Sequence, residues 1–436
     1  MCDDLGWGDV EYYGYTPIKT PNLNDMAKSG IRFDRWYAGA PVCSPTRGSA
    51  ITGRHPYRYG ITFANVGKMK DQEITVAEAA KTQGYTTGHF GKWHVGTLTT
   101  EINDANRGAP GNTAEYSPPQ DNGFDVCFST ESKVPTYNPM YKIGSTTQLY
   151  GTRYWREDGS FVPQDSNELL GDDSKVIMDQ AIPFIEKAVD ENKPFVSVIW
   201  FHTPHLPILA DSDHKKPYSS FTNNEQNYYG CVAAMDEQVG RLRKKLRELG
   251  VADNTMLWFC SDNGPEGGTQ GSAYPGSAGP YRGRKRSLYE GGVRVPGILE
   301  WPDKVKKTRI EKNFPCVTSD YFPTIMEVLG FKVKNQPEPI DGISLMPLIQ
   351  GKITQRPSPI AFQSDNQISL TDNRYKIYSN DSGVTFELYD LMNDPSEATN
   401  LADESEHATM IAEMKTKVLF WRDSCTASNN GDDYKS

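Results

Sequence analysis

Residues 195–207 read FVSVIWFHTPHLP. A short run of apolar and small residues proceeds without alternation and then gives way to a polar, proline-bearing turn. Such a run predicts a β-strand buried on both faces, the pattern of a strand inside a parallel sheet. Residues 256–260 (MLWFC) repeat the pattern and lead into SDNGP. Between the two runs, Val232, Met235, Val239, Leu242, Leu246 and Leu249 recur at three- and four-residue spacing, with Gly250 behind them. That spacing predicts an amphipathic helix with a glycine C-cap and a solvent-facing RLRKKLRE surface. A second helix is predicted over 173–189, and 85–90 (YTTGHF) reads as a weaker, alternating strand. Strand–helix–strand order of this kind gives an α/β fold on a large, mostly parallel mixed sheet flanked by helices. In such sheets ligand-binding groups gather beyond the carboxyl ends of the strands. HTPHLP, SDNGP and GKWH follow the three predicted strands.

The rest of the 436 residues fits around that sheet. Residues 99–170 are rich in Gly, Pro, Asn, Asp and Tyr with little periodicity, which predicts long surface excursions suited to holding a substrate. The polar, proline-bearing stretch 332–340 (KVKNQPEPI) reads as a linker between a catalytic unit, 1–335, and a smaller α+β unit, 336–436. Short alternating strands (YKIYS, FELYD) over 360–390 and a helix over 405–422 are expected in the smaller unit.

Composition excludes several classes. A net charge of −10 argues against nucleic-acid binding, which needs a basic face, but leaves room for an anionic substrate in a locally positive pocket. The seven cysteines form no CxxC pair and no disulfide framework; one or two bridges at most are compatible with their number. No run approaches the roughly 18–20 apolar residues of a membrane-spanning helix. The chain opens MCDDLGWGD, with no signal peptide and no strand before the acidic pair.

Two oxygen-rich pairs, Asp3-Asp4 and Asp262-Asn263, suit calcium or magnesium rather than zinc, although such pairs are also common turn formers. Arg47, Lys92, His94, His205 and Lys285 lie in short Gly- or Pro-bearing stretches, and three of the seven histidines (94, 202 and 205) follow predicted strands. Cations converging on a divalent metal make a pocket for a tetrahedral oxyanion. The RKR run at 284–286 has a plainer reading, a solvated basic patch or a phosphate clip. Cys43, in PVCSPTRGSAITGR (41–54), is open to several readings: a nucleophile paired with a histidine base, a buried free thiol, or the precursor of something else. A thiolate is a poor ligand for the hard ions the acids favour.

CSPTRGSAITGR resembles the signature of the type I, formylglycine-dependent sulfatases of the alkaline phosphatase superfamily, Cys-x-Pro-x-Arg followed by Thr-Gly-Arg. The resemblance continues in order through DDLGWGD (3–9), GYTTGHFGKWHVG (84–96), HTPHLP (202–207), SDNGP (261–265) and KRSLYEGGVRVPGILEWP (285–302). It extends into the smaller unit at DGISLMPLIQG (341–351) and ELYDLMNDPSEATNL (387–401). It implies that a formylglycine-generating maturation enzyme oxidises Cys43 to formylglycine, whose hydrated aldehyde is the nucleophile. It also implies calcium held by Asp3, Asp4, Asp262, Asn263 and residue 43. Arg47 is expected to orient residue 43, Lys92 and Lys285 to grip the sulfate, and His205 to protonate the leaving alcohol. His94 is expected to take the proton that releases sulfate, and His202 is expected to be a secondary substrate contact or a structural residue. The implied substrates are sulfated carbohydrates or aryl sulfates. A phosphonate or phosphodiester hydrolase with the same formylglycine, or an unmodified sulfated-glycan binder, is the alternative. The family carries a buried strand ahead of Asp-Asp where this chain has only Met1 and Cys2. A central strand is therefore expected to be cut short, with the full product starting upstream and being exported.

Overall fold

The computed structural model describes residues 1–434. Eight strands build the main body in two leaves. They are β1 (Ile31–Tyr37), β2 (Thr86–Lys92), β3 (Val126–Thr130), β4 (Phe195–Trp200), β5 (Leu257–Cys260), β6 (Arg294–Glu300), β7 (Arg309–Glu311) and β8 (Cys316–Val317). One leaf is parallel, in the order β3-β2-β4; the other runs β5-β6-β1-β7, with β8 also on β1. In the second leaf β6 is antiparallel to both β1 and β5, while β7 and β8 run parallel to β1. The sheet is therefore mixed, as expected. β2 and β4 approach closely because residue 91 has no side chain: a Cβ there would meet the Trp200 carbonyl at 1.9 Å.

The helices flank these leaves. Asn223–Glu248 begins well ahead of its first periodic residue, at a capping box in which Thr222 and Glu225 satisfy each other's backbone N–H. Its Val232, Met235, Val239, Leu242 and Leu246 are buried as the periodicity predicts. Asp173–Asp190 starts at an N-cap, the Asp172 carboxylate accepting from the Lys175 N–H. The stretch 99–170 departs from expectation. It contains β3, and Val134, Met140, Tyr154, Trp155 and Val162 are buried, so much of this irregular chain is packed against the body.

A second departure lies at the seam between the leaves. Phe195–Ile199 of β4 are only half-buried, not enclosed on both faces. Residues 1–3 fasten the leaves together. The Met1 amine donates to Ile199 O at 2.9 Å and Phe201 N–H to Met1 O at 3.0 Å. On the other side Cys2 N–H donates to Cys260 O at 2.8 Å and Asp262 N–H to Cys2 O at 3.1 Å. One backbone thus bonds both edges, so the seam is one strand wide. Beside it, the edges of β4 and β5 face each other across an apolar cavity of about 750 Å³, lined by Val198, Trp258, Phe259, Leu246 and Tyr321 among others.

In the smaller unit, β9 (Ile360–Ser364), β10 (Gln367–Thr371), β11 (Tyr375–Ser379) and β12 (Glu387–Asp390) form an antiparallel meander. The helix Ala408–Asn429 covers it with Met414 and Val418 against Ile368, Leu370, Ile377 and Leu388. Lys376 of β11, fully buried, is clasped by Glu290 at 3.1 Å and Glu397 at 2.9 Å and so pins the meander to the main body. All seven cysteines are free and buried, and among the described residues no helix is long and apolar enough to cross a membrane.

Candidate active site

The carboxyl ends of the central strands and residues 1–4 converge on one buried cluster. Asp3 and Asp4 leave the seam; Asp262 and Asn263 follow β5; Lys92 ends β2 and His94 lies two residues on; His202 and His205 follow β4. Cys43 is the first residue of the helix Cys43–Thr52, with Arg47 one turn along the same helix. The ligating atoms of Asp3, Cys43 and Asp262 lie within 4.8 Å of one another, as do those of Asp3, Asp4 and His205.

Charge is balanced pairwise. Lys92 Nζ is 2.6 Å from Asp3 Oδ2 and Lys285 Nζ is 2.7 Å from Asp4 Oδ1. Arg47 Nη2 is 2.7 Å from Asp262 Oδ2, and its Nη1 donates to the Lys92 carbonyl at 2.8 Å. Burial opposes ionisation of Asp3, yet Lys92, His205, Arg47 and Lys285 hold it well below the usual carboxylate range. Burial and the Asp3 charge push Asp262 up to about 7 against the pull of Arg47 and Lys92. Two carboxylates repelling each other in a dry pocket are the setting a hard cation relieves. Asp3 Oδ1 and Asn263 Oδ1 are buried without a hydrogen-bond partner. Buried polar oxygens rarely go unpaired, and oxygen donors of this kind fit calcium. Burial also raises the Cys43 thiol, although Lys92 and Lys285 pull it down. The residue therefore stays protonated and is a weak thiol nucleophile.

Asp4, Asn65, His94 and Arg286 are non-glycine residues at φ +68°, +62°, +64° and +76°. Backbone in this region is costly for such residues and persists only where the surroundings enforce it.

A sulfatase family model matches residues 1–331, and a model described as N-sulphoglucosamine sulphohydrolase, C-terminal, matches 281–423. The chain belongs to the sulfatase family. Its relatives include human N-acetylgalactosamine-6-sulfatase, 28% identical over 409 residues (87% of this chain, 70% of that one). Human steryl-sulfatase is 29% identical over 416 residues (81% and 69%). Among solved structures, Ps i-CgsB in complex with k-i-k-neocarrahexaose superposes with a TM-score of 0.81 at 26% identity, covering 97% of this chain and 91% of that one. This sulfatase is accordingly a sulfuric ester hydrolase on an alkaline phosphatase-like α/β body.

The sulfatase brings together all but one of the residues singled out from sequence. The exception is His202. It is fully buried, with Nδ1 2.7 Å from Asp173 Oδ2 and Nε2 2.7 Å from Thr130 Oγ1. Both ring nitrogens are satisfied inside the protein and none is left for a substrate, so the geometry favours the structural branch of the two expectations. His205 is different. Its Nδ1 is 2.6 Å from the Leu206 carbonyl, and Nε2 lies 3.8 Å from Asp4 Oδ2. Burial lowers its pKa to about 4 despite the nearby Asp3 and Asp4. The RKR run is no free surface patch: Arg284 and Lys285 are buried, and Arg286 bonds Glu266 at 2.5 Å. Sequence reasoning missed Asn65, whose Oδ1 is 2.7 Å from His94 Nε2. It also missed Glu131, which holds Arg107 at 2.8 Å beneath the His94 backbone. Neither sits in a motif or beside a predicted strand end, so no local signal marks them.

Proposed function

We propose that this sulfatase removes sulfate from a sulfated carbohydrate, with residue 43 acting as formylglycine and calcium bound beside it. The observation that carries the reading is the environment of Cys43: a buried, protonated thiol set among Asp3, Asp262 and the ammonium groups of Lys92 and Lys285. Those neighbours are mismatched to a thiolate and matched to hard oxygen. Converted to an aldehyde hydrate, residue 43 supplies one oxygen to attack sulfur and a second hydroxyl for later release of sulfate. Asp3, Asp4, Asp262 and Asn263 would hold calcium, which supplies charge neutralisation at a sulfate oxygen.

The chain's own groups then have defined work. Lys92 and Lys285, already inside the pocket, face the nonbridging oxygens of the ester and balance charge that grows there. Arg47 locks Asp262 and the end of β2 in place behind residue 43. His205 is neutral in the free protein; the anionic ester raises its proton affinity, and it protonates the leaving alcohol, help worth ~10²–10⁴-fold in such roles. His94 takes the proton whose removal frees the sulfate. The carbohydrate class rests on the relatives named N-acetylgalactosamine-6-sulfatase and on the Ps i-CgsB complex with k-i-k-neocarrahexaose.

The test is peptide mass spectrometry of the segment around residue 43 after co-expression with a formylglycine-generating enzyme, followed by desulfation of defined saccharides. Aldehyde at residue 43 and sulfate release are expected, both lost in Cys43→Ala with the fold retained. An intact thiol would point instead to a glycan-binding protein. Faster turnover of aryl phosphonates than of aryl sulfates would point to the phosphonate hydrolase alternative.

A further inference from the structure

His94 has one partnered nitrogen and one bare one. Nε2 meets Asn65 Oδ1 at 2.7 Å, while Nδ1 is buried and has no hydrogen-bond partner in the chain. Asn65 is itself held. Asn106 Nδ2 donates to Asn65 Oδ1 at 2.8 Å and to Ser132 Oγ at 2.9 Å. The Asn65 N–H reaches Ser44 Oγ at 3.4 Å, next to Cys43. The residue sits at φ +62°, in the left-handed region that asparagine tolerates better than most side chains.

We infer that Asn65 is a positioning residue that fixes His94 as the Nε2–H tautomer and keeps the Nδ1 lone pair free. Two arguments converge. With Asn106 donating to Asn65 Oδ1, that oxygen is an acceptor, so Nε2 must carry the proton. The charges around the ring agree, since the cations Lys92, Arg107 and Arg47 each act on His94 more strongly than the one anion near it, Asp3. A bare, buried lone pair is favourable in a positive field, whereas a bare, buried N–H would be an unpaired donor facing like charge. In a neutral imidazole the tautomer follows from the bond the other nitrogen makes.

The consequence rests on the proposed role of His94. Its Nδ1 receives one proton from a hydroxyl of residue 43, and the ring leaves that step as an imidazolium with Nε2–H still on Asn65. The opposite tautomer, with a proton already on Nδ1, could not accept it.

The tautomer can be read without catalysis, in the full chain with Cys43 unmodified. ¹⁵N-histidine NMR, with His94→Gln to assign the signals, should show a protonated Nε2 and an unprotonated Nδ1. Asn65→Gly keeps the backbone at ease at positive φ and removes the acceptor, so the fixed pattern should be lost. Asn65→Asp restores an acceptor, and Nε2–H should return. A protonated Nδ1 in the wild type, or an unchanged pattern in Asn65→Gly, would overturn the inference whatever the reaction is. In the matured enzyme, Asn65→Gly should lower kcat by ~10–100-fold, the usual scale for such supporting contacts. KM should fall along with kcat, leaving kcat/KM little changed, and sulfate should accumulate on the residue 43 peptide. Loss of kcat without that accumulation, under an intact NMR result, would count against the role of His94 and leave the tautomer assignment standing.

Discussion

Arg47 Nη2 lies 2.7 Å from Asp262 Oδ2, and neither side chain has any exposed surface. The same guanidinium stacks over Trp200 at 5.1 Å and holds the carbonyl of Lys92. It therefore ties the buried acid after β5 to the ends of β2 and β4. Arg47→Met keeps the bulk over Trp200 but deprives the buried Asp262 of its hydrogen-bonded counter-ion, leaving only the more distant pull of Lys92. Breaking such a pair costs about 3–5 kcal/mol, and a matching fall in urea stability is expected. A variant as stable as the parent would show that Lys92 alone compensates the Asp262 charge.

His205→Ala separates two kinds of substrate. An activated aryl sulfate has a leaving group that departs without a proton, while a sugar alkoxide needs one. The variant should lose ~10²-fold or more on saccharide sulfates and much less on nitrophenyl sulfate. Equal losses on both would argue that His205 binds rather than protonates.

Calcium should stabilise the folded chain even with residue 43 unmodified, because the oxygen ligands are preassembled. Binding at a hundredfold excess over Kd adds about 2.7 kcal/mol, visible as a rise in Tm over the chelated protein. Asn263→Ala, which removes one of the unpartnered oxygens, should blunt the rise. No response to calcium in the parent would remove the metal from these four residues.

Stability should also fall as the solution is made less acidic. Asp9 is fully buried, and burial raises its carboxyl from 3.8 to about 7 against the bonds it accepts from Tyr228, Ser277 and Gly6. Between those values the folded chain keeps a proton that the unfolded chain has lost, so unfolding becomes easier as pH climbs through the window. Asp9→Asn cannot titrate and should flatten that part of the stability–pH curve. A slope unchanged by the substitution would assign it to other groups.

The cavity at the seam gives a test by addition. An Ile-Val-Ile-Val-Val segment fused ahead of Met1 would run parallel to β4 and β5 in the register set by Met1 and Cys2. About five residues at ~3.3 Å each match the length of β4. Tm should rise, and a Pro-interrupted version of the segment should have no effect because it cannot complete either ladder. Equal behaviour of the two segments would show that the cavity does not accept a strand.

Much of this was readable in the chain, for identifiable reasons. The runs at 195–201 and 256–260 announced β4 and β5 because continuous apolar residues have few other uses, and the polar residues behind them marked the site. β1 and β6 escaped notice. IRFDRWY carries charges that argue against a buried strand: Arg32 and Asp34 pair with each other, and Arg35 is buried only because distant backbone carbonyls, those of Asn313, Asp372 and Asn373, accept its N–H groups. RVPGILE contains a proline and a glycine that argue against a strand locally, yet Gly297 is where the Trp36 ring packs. β3 lay hidden in a stretch whose composition reads as loop. At the site, motif residues were visible and their supports were not: Asn65, Asp173 and Glu131 earn their places only through partners far away in sequence.

Met1–Asp3 joins one leaf to the other, and the next residue is Asp4. Lys92 rides on the first leaf and Asp262 on the second, so the spacing of these two side chains depends on how firmly this short clasp and the Arg47 bridge hold. Shape and chemistry in this enzyme share a hinge pin. Were the leaves to part at the clasp, Lys92 and Asp262 would separate without either of the strands that carry them having to unwind.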